Sequence, residues 1–145
     1  MFELSELTLP IIQAPMAGGI SSPSLASAVS NFGGVGSFGF AYSTPEEINS
    51  TLNITRKLTK GPINTNFFVF DLIDSPSPQR NAEALKALKS LPIAKNLLLK
   101  LPDKPYFPDL ELQLEPIWLH KPQIVTFHLG IPPRSVMDRA RGLGI

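Results

Sequence analysis

Four times along this chain a short apolar run gives way to a glycine or proline loop and then to a helix start. The runs are Ile11 to Ala14, Val35 to Phe38, Ile63 to Phe70 and Ile124 to Phe127. Ser22-Pro23, Thr44-Pro45 and Pro132-Pro133 open three of the helical stretches, and Pro76 and Pro78 stand before the other. Proline fits the first helical turn because its missing N–H has no partner there and its φ is already suitable. Strand and helix in strict alternation imply a parallel sheet with crossover helices, an α/β fold. Gly142-Leu143-Gly144-Ile145 reads as the turn into a further strand. A closed (β/α)₈ TIM barrel takes about 250 residues. The expectation is therefore the N-terminal half of such a barrel, about four βα units with parallel strands.

Local signals support each unit. Ser22 caps the first helix, Leu25, Val29 and Phe32 recur at helical spacing, and Gly33-Gly34 stops it. Thr44 with Glu47 three residues on forms a capping box. Acids open that helix, Arg56, Lys57 and Lys60 close it in the sense its dipole favours, and Gly61-Pro62 ends it. A third helix is expected near 79–90, with Leu85 and Leu88 as its apolar stripe. Leu97-Leu98-Leu99 fits strand or helix, and Leu110, Leu112 and Leu114 alternate as a strand would. Pro116 and its neighbouring prolines argue against a central strand. The stretch of about 91–122 is read as an irregular insertion with one or two short helical pieces, inside a single partial domain over 1–145. In the last helix Val136, Met137 and Ala140 are expected to face inward.

Composition narrows the function. Thirteen basic and twelve acidic residues give a net charge of +1 without long charge runs, against a nucleic-acid partner. There is no cysteine, and the two histidines, His120 and His128, have no acidic partner at ligand spacing, so no metal site is expected. No apolar run approaches the roughly 20 residues of a membrane span. The first six residues carry two acids and no basic stretch, so no signal peptide is read and a cytoplasmic protein is expected.

In a barrel, ligands meet the C-terminal ends of the strands. Standing there are Ala14-Pro15-Met16, Ser37-Phe38-Gly39, Asn64 and Asn66, and His128. The set is small and apolar with a few hydrogen-bonding groups. It holds no acid pair and no nucleophile beside a base, so neither glycosidase nor triad chemistry is supported. It suits a flat, largely apolar ligand. Gly18 and Gly19 read as points of close ligand approach, with plain turn residues as the alternative. Asn64 reads equally as a strand-end cap, Met16 as core filler and His128 as a structural residue.

Pro10-Ile-Ile-Gln-Ala-Pro-Met-Ala-Gly-Gly, followed by Ser22-Pro-Ser-Leu-Ala-Ser-Ala-Val-Ser-Asn-Phe-Gly-Gly-Val-Gly-Ser, resembles the N-terminal signature of the nitronate monooxygenase family. Asn64-Thr-Asn-Phe-Phe and Val125-Thr-Phe-His-Leu-Gly resemble its third- and fourth-strand motifs. The resemblance implies an FMN-dependent barrel that oxidises alkyl nitronates with dioxygen to a carbonyl compound and nitrite, without nicotinamide. It implies that Ala14, Pro15 and Met16, with Gly18, line the flavin and that Asn66 hydrogen-bonds FMN. It puts His128 in the substrate pocket as the candidate catalytic residue. The family's Gly-Gly-His segment and its phosphate-binding glycines follow later strands, and this chain has no Gly-Gly-His. Alternatives are the related flavin-dependent enoyl-acyl-carrier-protein reductase and a non-catalytic half barrel that pairs with a second half or a second copy.

Overall fold

The computed structural model describes residues 2–70, 77–100 and 105–145. Pro76, and 101–104 within the expected insertion, lie outside the described residues. The chain forms two compact units, one of Met1–Phe70 with Pro108–Ile145 and one of Asp71–Phe107.

The larger unit is built on a parallel sheet of β1 (Gly36–Gly39), β2 (Ile63–Phe68) and β3 (Ile124–His128), in that order. Ser37 stands opposite Asn64, Gly39 opposite Asn66, Asn66 opposite Thr126 and Phe68 opposite His128. Side chains alternate along a strand, and registered partners in a parallel pair share a face. One face therefore carries Ile63, Thr65 and Phe67; the other carries Asn64, Asn66 and Phe68. The first face is the core. Phe38 and Phe40 stack there at 5.3 Å between ring centroids. Around them pack Ile48 and Leu52 of α2 (Pro45–Leu58), Leu114, Ile117 and Trp118 of α4 (Leu110–His120), and Val136 and Ala140 of α5 (Arg134–Gly142). Each of the large apolar side chains contributes roughly 1.5–3 kcal/mol by leaving water.

Helix α1 (Pro23–Asn31) begins as the sequence implies, with the Ser22 hydroxyl accepting from the Leu25 N–H at 3.2 Å. Its buried face differs from the expected stripe. Ala26, Ser27 and Ser30 face inward, while Leu25 and Phe32 are exposed. The cause is how near α1 lies to β1. A Cβ at Gly36 would overlap the Ala26 backbone, so only small residues fit between helix and strand. Ser30 completes the contact, accepting from the Gly36 N–H at 3.1 Å and donating to the Pro62 carbonyl at 2.7 Å. The capping box of α2 forms as written: Glu47 N–H donates to Thr44 Oγ1 at 3.3 Å, and Thr44 N–H to Glu47 Oε2 at 2.9 Å.

One expectation changes. Ile11 to Ala14 is not a buried strand. It makes a single parallel bridge, Ile12 to Val35, and Ile11 and Ile12 are exposed. The alternating leucines at 110, 112 and 114 belong to α4, a helical piece of the expected kind that carries Pro116 within it. Asp109 caps it, accepting from the N–H groups of Glu111 at 2.8 Å and Leu112 at 3.2 Å. Leu114, Ile117 and Trp118 reach the core at helical spacing, while Leu112 points to solvent. The buried Gln113 amide donates to the carbonyls of Phe40 and Ser43, both at 2.8 Å, and fastens α4 across the end of β1. His120 Nε2 lies 2.7 Å from Asn49 Oδ1 and fastens α4 to α2.

The smaller unit holds α3 (Pro78–Lys89), capped by Ser77, and a 3-10 turn over Pro92–Asn96. Helix α3 is the one expected near 79–90, and the 3-10 turn and α4 are the helical pieces in the 91–122 stretch.

Candidate functional site

The polar face of the sheet carries the candidate residues toward the strand C-terminal ends. The segment that brings Met16 there is shaped by Pro15. After the Ile12–Val35 bridge, a continued ladder would give the Ser37 carbonyl the N–H of residue 15, and proline has none. The Gln13 side chain takes over. Its Nε2 donates to the Ser37 carbonyl at 3.2 Å, and its Oε1 accepts from the Ser37 N–H at 3.4 Å. The backbone is thereby released from the sheet and turns across it. Ser21 Oγ holds the turn, accepting from the Met16 N–H at 3.1 Å and from Gln13 Nε2 at 3.4 Å.

Gly39 lets that turn come close. A Cβ there would meet Met16 C and Ala17 N, each at 2.7 Å. Gly39 is in register with Asn66, so the Met16–Ala17 peptide lies on the same face as the Asn66 side chain. Met16 itself is 38% exposed, and Ala14 and Pro15 are also exposed. Gly18 and Gly19 follow with φ of +82° and +88°. A Cβ at either would meet nothing within 4 Å. The left-handed backbone therefore accounts for both glycines by itself.

A row of polar side chains crosses the face below. Asn64 Nδ2 donates to Ser37 Oγ at 3.2 Å, Thr126 Oγ1 donates to Asn64 Oδ1 at 3.1 Å, and Asn66 Nδ2 donates to Thr126 Oγ1 at 2.9 Å. Ser37 and Asn64 are buried, and Asn66 is 9% exposed. Asn64 thus sits inside the row, near the start of β2, and does not cap a strand end. Among the described residues Asn66 Oδ1 has no hydrogen-bond partner. One step further along, Phe68 and His128 stand side by side with ring centroids 5.7 Å apart, and His128 is exposed. Leu129 follows with φ of +72°, which turns the chain sharply after β3.

The structure thus brings Met16, Asn66 and His128 to one face, with Ala14, Pro15 and Gly18 in the adjoining turn. Of the residues that place them, Ser37 stands among the strand-end candidates, while Gln13, Ser21 and Thr126 are not evident from motif reading. Chemically the face offers an apolar ledge, one free amide end and an imidazole. Among the described residues it offers no lysine or arginine to an anion. No group of three or more His, Asp or Glu able to hold a metal occurs among the described residues. None of the described helices is long and apolar enough to cross a membrane. A cleft of about 240 Å³ opens elsewhere, between α4 and α5, where Arg139 lies 5.0 Å from the Trp118 ring centroid and 3.1 Å from Glu115. That ion pair is exposed on both sides and contributes little.

Comparison with known proteins agrees with this architecture. The nitronate monooxygenase of Pseudomonas aeruginosa is 37% identical, over 94% of this chain and 39% of its own length. A probable nitronate monooxygenase of Bacillus subtilis is 33% identical, over 95% of this chain and 39% of its own length. Among solved structures, a nitroalkane oxidase from Streptomyces ansochromogenes superposes with a TM-score of 0.77 at 32% identity, covering 97% of this chain and 39% of that one. FabK from Thermotoga maritima superposes with a TM-score of 0.61 at 21% identity, covering 94% of this chain and 33% of that one, a likeness of fold alone. This chain therefore spans about 39% of the length of the curated relatives it matches. The family description of nitronate monooxygenases matches residues 2–145, and the chain belongs to that family.

Proposed function

We propose that this chain supplies one wall of an FMN site in an oxidoreductase that converts alkyl nitronates and dioxygen to a carbonyl compound and nitrite. The observation that carries the reading is the convergence of the Met16–Ala17 turn, the Asn66 amide and His128 on one face of the sheet, in a chain of this family. The donor set fits a flavin ring. Met16 and Phe68 present apolar surface, and the free end of Asn66 can meet a polar ring edge. The same set does not fit a phosphate, which would require cations or an open run of N–H groups from other segments. Bound FMN would supply the electron acceptor. The residues of this chain would seat and orient it, and His128 would donate a ring N–H to the anionic nitronate.

The test is dioxygen uptake and nitrite release by the native gene product, given FMN and a simple alkyl nitronate. Turnover without NADH supports the reading, with His128→Asn lowering it at least tenfold. NADH oxidation would instead favour an enoyl-thioester reductase. Absence of both, with FMN unbound, would point to a non-catalytic half barrel.

A further inference from the structure

The polar row on the sheet has a property that its individual contacts do not reveal. Thr126 Oγ1 has a single proton and stands between two amides, Asn64 Oδ1 at 3.1 Å and Asn66 Nδ2 at 2.9 Å. If it donates to one, it accepts from the other. Asn64 is bound in the same way between Thr126 and Ser37, whose hydroxyl at 3.2 Å can donate as well as accept. The row therefore has two self-consistent polarities over the same atom positions. In one, protons point from Asn66 toward Ser37 and Asn66 turns its carbonyl outward. In the other, Ser37 donates to Asn64, Asn64 to Thr126 and Thr126 to Asn66, which then turns its NH₂ outward. Mixed states leave the Thr126 proton or an amide oxygen without a partner in a largely buried place, which is costly.

We infer that Thr126 is a positioning residue that couples Asn66 to Asn64 and Ser37, so that the row reverses as a unit to match the ligand atom facing Asn66. The ligand class it suits is a heteroaromatic ring whose nitrogen accepts a hydrogen bond when oxidised and carries an N–H when reduced. This rests on the flavin reading above. A fixed donor would favour one redox form; a reversible row serves both.

The experiment measures dissociation constants for oxidised and for anaerobically reduced FMN, at pH 8, in the native protein and three variants. Thr126→Ser keeps the hydroxyl and is expected to keep both constants within about threefold. Thr126→Val removes it and is expected to weaken both by about tenfold, the size of one lost hydrogen bond near a site. Asn64→Asp places an acceptor-only group beside Thr126, which locks the hydroxyl as its donor and the Asn66 carbonyl outward. It is expected to shift the ratio of the two constants about tenfold toward the reduced form. An unchanged ratio in Asn64→Asp, or Thr126→Ser behaving as Thr126→Val, overturns the inference. A second readout needs no flavin: the side-chain amide NMR signals of Asn66 should lose proton-exchange protection in Thr126→Val and keep it in Thr126→Ser. If native protein binds no FMN, the functional reading falls. The amide signals then decide the coupling alone, with equal protection in both variants overturning it.

Discussion

Replacing Gln13 with alanine tests the argument that a side-chain amide stands in for a peptide group. Ser37 is fully buried, and its N–H and C=O are met by Gln13 at 3.4 Å and 3.2 Å. An orphaned buried peptide group costs about 1–3 kcal/mol, and bonds this long belong at the lower end. The two together give about 2 kcal/mol, or roughly 6 °C in Tm for a chain near this length. Thermal unfolding followed by circular dichroism measures it. Two companions sharpen the test. Gln13→Glu still accepts from the Ser37 N–H but sets a carboxylate oxygen against the Ser37 carbonyl, so it should melt no higher than Gln13→Ala. Pro15→Ala added to Gln13→Ala restores an N–H able to reach the Ser37 carbonyl and should recover about 1 kcal/mol. A Gln13→Ala protein melting within about 1 °C of the parent, given that conversion, would refute the reasoning.

Other consequences follow from single contacts. Gly36→Ala would drive a methyl group into the Ala26 backbone and should cost at least about 3 kcal/mol by chemical denaturation, pushing α1 off the sheet. Thr65 is fully buried with Oγ1 unpartnered, so Thr65→Val should stabilise by about 1 kcal/mol in the same assay; destabilisation would reveal a hidden partner. Burial, reinforced by the Arg56 cation, holds His120 below its usual pKa of 6.5. The unfolded chain then binds the proton more readily than the folded one, so this group makes stability rise with pH up to about 6.5 and fall as the solution is acidified below it. His120→Gln should flatten that dependence between pH 5 and 7 relative to the parent.

Much of this fold is legible in the sequence because its signals are local. Ser22-Pro23 and Thr44-Pro45-Glu46-Glu47 satisfy helix-start N–H groups within a few residues, so the caps are readable without knowing what the helices touch. Two segments are less legible, each for its own reason. The alternation of Leu110, Leu112 and Leu114 matches a strand, yet Asp109 caps a helix there and Gln113 finds its acceptors some seventy residues away, at Phe40 and Ser43. Ile11 to Ala14 has a strand composition, but Pro15 denies the next ladder bond.

The candidate site divides in the same way. Met16, Asn66 and His128 stand out through their motifs and strand-end positions. Gln13, Ser21 and Thr126 do not, because their meaning lies in which buried group each one satisfies. Thr126 carries one usable signal: it shares strand parity with His128, two residues on, which places both on the same face. Gly18 and Gly19 illustrate the converse. Their prominence in the sequence is accounted for by a left-handed turn, and a place beside a ligand belongs to the functional proposal.

The central claim is that the sheet face bearing Asn66 seats a flavin. The most direct measurement is the dissociation constant for FMN, by quenching of flavin fluorescence, in the native gene product and in its Asn66→Ala and Arg139→Ala variants. The account predicts binding that weakens about tenfold in Asn66→Ala, as for one lost hydrogen bond, and stays unchanged in Arg139→Ala on the helix side. Equal affinity in the parent and Asn66→Ala, or loss confined to Arg139→Ala, would contradict it.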